Sequence, residues 1–168
     1  SYFDASASVK SLYLNHAMRL IHECLKAQVC AIFLIDKYGF LARRAFYGVD
    51  FFGAEIEPEW LADERYEIDQ SSFVGRTAYI DPDGVSQYGT IQYTHNLEES
   101  DQLDCESLNA YKTRLANPVG RAISVPINNR NGTIGVLRIL NYYDPNPHIG
   151  KVIPPHMSKL NDRDVIWL

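Results

Sequence analysis

Cysteine is scarce, three residues in 168, and that scarcity excludes a disulfide-stapled scaffold. Cys24, Cys30 and Cys105 form an odd, scattered set that suits a reducing cytosol. Long hydrophobic runs are also lacking: the apolar stretch 29–35 is far shorter than the roughly 20 residues needed to cross a bilayer, and no membrane contact is expected. The start of the chain has no positive charge ahead of an apolar core, the pattern of a secretory signal. Cations are in the minority, with 16 Lys and Arg against 21 Asp and Glu and a net charge of −5. A surface that tracks phosphates needs clustered cations, so nucleic-acid binding by charge is disfavoured. Neither C-x-x-C nor H-E-x-x-H occurs, so no zinc spacing is present. There is no internal repeat and no low-complexity tract.

What is present is ordinary globular material. Hydrophobic residues make up 46% and charged residues 22%, and the length fits one domain that buries about 70% of its unfolded surface. Apolar residues at Leu12, Ala17, Leu20, Ile21, Cys24 and Leu25 predict an amphipathic helix over 8–27, capped by Ser8. The apolar run 29–35 and the stretch 40–47 read as strands joined through a Tyr38-Gly39 turn. Acids crowd 55–69, Glu64 among them, and 98–106; both groups read as solvated loops and helix faces. A short alternation at Tyr66 to Ile68, a serine-capped helix over 71–78 and a short strand over 90–94 follow, then a helix over 100–115. Stretches 121–128 and 133–141 form the clearest hairpin, because Asn131-Gly132 supplies the positive φ of a tight turn. Pro126 cannot donate to a ladder, which places its strand at an edge or bulge, and Gly135 requires a close neighbour. Asn161 caps a closing helix bearing Val165, Ile166 and Leu168, which suggests a fragment of a longer protein. Hairpins without βαβ alternation predict an α+β domain over residues 1–168: an antiparallel sheet with terminal helices on one face and short middle helices on the other.

Several strings, in this order, resemble a GAF domain. Cys30-Ala31-Ile32-Phe33-Leu34-Ile35-Asp36 is similar to the family's first strand, and Phe73-Val74-Gly75-Arg76-Thr77-Ala78 to its short pocket helix. Val125-Pro126-Ile127 followed by Gly132-Thr133-Ile134-Gly135-Val136-Leu137 resembles its last major hairpin, and Leu160 to Val165 the start of its closing helix. The resemblance implies a sensory or regulatory module of a cytosolic signalling protein. Such a module binds a small molecule between sheet and middle helices and relays the event through the terminal helices to an attached output domain. It also implies a homodimer through those helices. The family pattern places Ala31, Phe33, Ile35, Phe46, Tyr47, Phe73, Val74, Thr77 and Tyr111 at the ligand, while Cys30, Ile32 and Leu34 face the terminal helices.

The residues do not identify the ligand or a cofactor. The cyclic-nucleotide signature of the family is mostly broken: Asn141 and Asp162 or Asp164 fill two places, but Tyr142 stands where Lys is expected. A bilin would need a cysteine typically followed by His, whereas Cys105 precedes Glu106. The free methionine sulfoxide reductases built on this fold need a cysteine just before the Val-Pro-Ile strand, and 111–127 has none. His16 and His22 lie about 240° apart around a helix and share no metal face; His95, His148 and His156 read as loop residues. No catalytic set and no metal site is expected. The alternatives to a ligand sensor are a GAF-like dimerisation domain whose interior is filled by Phe33, Phe46, Tyr47 and Phe73, and a reductase-like enzyme.

Overall fold

The computed structural model describes residues 2–61, 63–97, 111, 113–115 and 119–142. Helix α1 (Tyr2–Leu25) begins ahead of the Ser8 cap expected from the sequence. Leu14, Ala17, Met18, Ile21 and Leu25 recur at three- and four-residue spacing and form the face packed on the sheet. The helix stops where Lys26 enters the left-handed region at φ 51°. Strands β1 (Val29–Ile35) and β2 (Leu41–Gly48) follow as a hairpin. The Asp36 carboxylate accepts from the N–H groups of Tyr38 at 2.9 Å and Phe40 at 3.0 Å, fixing the turn.

A single 3-10 turn (Pro58–Trp60) leads to β3 (Arg65–Tyr66) and α2 (Phe73–Ala78). The Ser72 hydroxyl accepts from the Gly75 N–H at 2.9 Å, the N-cap read from the sequence. Strands β4 (Gln92–Thr94), β5 (Ala122–Asn129) and β6 (Gly132–Leu140) complete the sheet, and residues 111 and 113–115 are helical. The strand order is β3-β2-β1-β6-β5-β4, every pair antiparallel. This is the α+β arrangement expected. Most of the expected 100–115 helix and the whole closing helix from Asn161 lie outside the described residues, so α1 alone represents the terminal helices.

Alternation divides the sheet into two buried faces. Cys30, Ile32, Ala45 and Ile139 pack on the α1 side. Ala31, Phe33, Phe46, Ala122, Val136 and Leu140 point to the other side, toward α2, Tyr111 and Leu115. A bulge in the β1–β2 ladder shifts the register between Ile32 and Phe33: Ile32 opposes Ala45, Phe33 opposes Arg43, and Arg44 is the extra residue. The bulge therefore allows Arg43 and Phe46, which differ in parity, to share the inner face.

Pro126 pairs with β6 only, since β4 reaches β5 no further than Ser124, so the edge expectation holds. A Cβ on Gly135 would lie 2.4 Å from the Phe33 carbonyl oxygen of β1, which is the close approach the glycine allows. Gly135→Ala is expected to destabilise the fold by about 1–3 kcal/mol, because the obstacle is backbone. Urea unfolding checks this; an unchanged midpoint would show that β1 and β6 can separate without loss.

Candidate functional site

At the centre of the inner face, β6 carries Arg138 between the apolar Leu137 and Ile139. Its register neighbours are small, Ala31 on β1 and Ser124 on β5, so the long side chain has room to lie across the sheet. Its guanidinium meets the carboxylate of Glu64 in two parallel bonds, Nη1 to Oε2 at 2.9 Å and Nη2 to Oε1 at 3.2 Å. Glu64 Oε1 also accepts from Arg43 Nη1 at 3.1 Å. The hydroxyls of Tyr66 and Tyr111 both donate to Glu64. Arg138 Nη2 in turn donates to the Tyr111 oxygen at 2.8 Å. Phe33 and Tyr111 lie against the guanidinium, with ring centroids 4.9 and 5.1 Å from its carbon.

The cluster is shut away from water. The Glu64 side chain is 2% exposed and that of Arg138 6%. Burial by itself would raise the Glu64 carboxyl. The Arg138 charge and the hydrogen bonds from Arg138, Tyr111 and Tyr66 outweigh it and hold the group below the ordinary carboxylate range. Burial pushes the Tyr111 phenol up, with the Glu64 charge adding to it, so Tyr111 stays a neutral donor. For Arg138, burial opposes the charge, but Glu64 and the two tyrosines overcome this and keep the guanidinium charged.

The structure sorts the expected site residues by face. Ala31, Phe33, Phe46, Phe73, Val74 and Tyr111 are gathered in the inner core, and Ile35 packs at its border. Thr77, fully buried, hydrogen-bonds with the Ser124 hydroxyl at 2.8 Å and the Phe73 carbonyl at 3.0 Å. Tyr47 is a correction. It follows Phe46 on a strand and so turns to the opposite face, packing on α1 with its ring 4.8 Å from that of His22. Glu64 is a second correction, because the acid read as part of a solvated run is buried. Arg43, Glu64, Tyr66 and Arg138 were missed as site residues; the available signal was a lone arginine inside the apolar run of β6. Cys30, Ile32 and Leu34 face α1 as expected.

Asn141, a candidate for the cyclic-nucleotide signature, is used by the fold. It adopts φ 53°, accepts from the Gly120 N–H at 2.9 Å and donates to Gln28 Oε1 at 2.9 Å. Of the cysteines, Cys30 is buried under α1, where desolvation pushes its thiol up to about 12. Cys24 is exposed on α1, and Cys105 lies outside the described residues. Among the described residues no group of three or more His, Cys, Asp or Glu could hold a metal, and no helix is long and apolar enough to cross a membrane.

No protein-family model and no curated protein sequence matches the chain. Solved structures do. The GAF domain of A. aeolicus NLH2, in an inactive state, superposes with a TM-score of 0.58 at 13% identity, over 80% of this chain and 69% of that one. The GAF domain of an Acinetobacter phosphoenolpyruvate-protein phosphotransferase gives 0.54 at 17% identity, over 78% and 66%. A free methionine-R-sulfoxide reductase from Neisseria meningitidis, in complex with its substrate, gives 0.52 at 16% identity, over 78% and 62%. The fold is GAF-like, and the structures that share it include GAF domains of larger proteins and a reductase.

Because its native-state carboxyl is depressed, Glu64 stabilises the fold above the unfolded-state value of about 4.3, and this contribution is lost as pH falls through the native value. Glu64→Gln is therefore expected to cost about 3–5 kcal/mol at neutral pH and to flatten the acid limb of stability. A double-mutant cycle with Arg138→Gln, read by urea unfolding across pH, should give a coupling above about 1 kcal/mol. Simple additivity would show that the two groups do not depend on each other.

Proposed function

We propose that this domain is a sensory module of a cytosolic signalling protein, binding a small molecule on the inner face of the sheet beneath α2. The observation that carries this reading is the polar cluster on Arg138. A domain that needed only to fold would gain as much or more from apolar side chains there, since a buried ion pair is weak support for stability. The free thiols suit a reducing compartment, and the fold neighbours named as domains of longer proteins support an attached output domain.

The relay would run through the sheet to α1, which packs on β1 and β2. A ligand moves such an equilibrium only by its differential affinity for the two states. Val9, Leu12, Tyr13 and Leu20 form an exposed apolar stripe on α1, which supports a homodimer through the terminal helices. The competing reading is a dimerisation domain with a self-filled interior. The tight packing of Phe33, Phe46 and Phe73 favours it. A reductase-like enzyme has less support, because Cys24 and Cys30 belong to the α1 side of the sheet.

Thermal-shift screening with nucleotides, amino acids, sugars and small acids tests the sensor reading. At least one compound should raise the midpoint and perturb the methyl resonances of Ala31 and Val136 while leaving Ile32 and Ile139 unmoved. If none does so, the self-filled dimerisation domain is the correct reading. In sedimentation the chain should dimerise with rising concentration, and Leu12→Glu should weaken the dimer about tenfold or more. A monomer throughout would remove the α1 contact.

A further inference from the structure

Two arginines, Arg138 buried and Arg43 half-buried, share one carboxylate. Arg43 and Arg138 both pair with Glu64, and the other partners of Arg43 are the Pro58 carbonyl at 3.3 Å and the Phe46 ring. The tyrosines are neutral donors, so among the described residues the cluster carries one uncompensated positive charge. A buried charge of this kind is costly until it is met by an opposite one.

A second observation points to the same place. Arg138 Nε is buried and has no hydrogen-bond partner. Glu64 occupies the two terminal nitrogens, which leaves the Nε–H as the unpaired donor of the guanidinium. Buried N–H groups are almost always paired, and here the unpaired one belongs to the cluster that bears the excess charge.

We infer that the Nε edge of Arg138 is the recognition point for a small monocarboxylate, bound beside Glu64 rather than in its place. The inference rests on the sensor reading above. A single negative charge brings the cluster to neutrality, whereas a phosphate, carrying nearly two, would overshoot it. Phe33 and Tyr111 flank the guanidinium, and this suits a planar group lying in its plane. Val136, Phe73 and Val74 belong to the same buried core as Phe33 and Tyr111, and this apolar setting suits a short apolar tail rather than a bulky one.

The test titrates the purified domain with acetate, propionate and butyrate, with the matching primary amides, and with inorganic phosphate and chloride. Arginine Nε–H resonances report the site directly. A saturable shift of the Arg138 Nε–H with a monocarboxylate, absent with its amide and with chloride, supports the inference. Arg43→Gln, which removes the excess charge but leaves Arg138 in place, should weaken that binding about tenfold or more. Arg138→Lys should abolish it, and the Arg43 variant serves if Arg138→Lys fails to fold. Binding of amides, phosphate or any screened neutral compound without binding of monocarboxylates would overturn the ligand class and leave the sensor reading standing. A carboxylate effect that matches chloride and never saturates is an adventitious ion only and overturns it as well. If nothing binds at all, both readings fall together.

Discussion

A carboxylate can persist inside a protein only while donors surround it. Glu64 is met by donors from Arg43, Tyr66, Tyr111 and Arg138, which belong to β2, β3, the helical position 111, and β6. These segments are far apart in the chain, and the inner core assembles around their meeting point. The two-residue β3 is held to β2 by only two register pairs, Leu41 with Tyr66 and Ala42 with Arg65. Its neighbour Glu64, gripped from the sheet centre, anchors what would otherwise be a loose edge.

That convergence depends on one irregularity. In an unbroken strand, Arg43 and Phe46 would face opposite sides. The extra residue at Arg44 resets the alternation, so that Arg43 reaches Glu64 while Phe46 remains in the same core, beneath the Arg43 guanidinium. The same reset sends Ala45 and Tyr47 to α1. One inserted residue thus supplies both an arm of the polar cluster and the packing surface for the helix.

The difference between what was legible in the sequence and what was not follows the range of the interactions. Short-range chemistry was visible: the Ser72 cap, the turn at Asn131 and Gly132, the alternation of β1 and the edge position of Pro126 each follow from a residue and its immediate neighbours. Most residues that the family resemblance singled out, including Phe33, Val74 and Tyr111, lie together on the inner face. The resemblance failed at Tyr47, where strand alternation alone forbids two successive residues from sharing a pocket. Glu64 was hidden for a different reason. Its acidic neighbours along the chain are solvated, and its partner Arg138 is 74 residues away, beyond any local pattern. Arg138 did leave a trace, as the one charge in a strand otherwise fit for burial.

Charge placement also bears on how such a domain would respond to an occupant. Arg138 sits mid-sheet, paired on both sides by β1 and β5, and has little freedom to move. Glu64 belongs to the edge, and Arg43 ties the same carboxylate to the Pro58 carbonyl of the 3-10 turn. A new anionic partner for Arg138 would place a second negative charge beside Glu64, so the edge segment that carries Glu64 would adjust before the sheet centre does. Because β2 carries Arg43 inward and Ala45 and Tyr47 toward α1, an adjustment of its edge reaches both faces through one strand. Coupling of this kind needs no long chain of contacts, only a strand whose two sides are packed against different things.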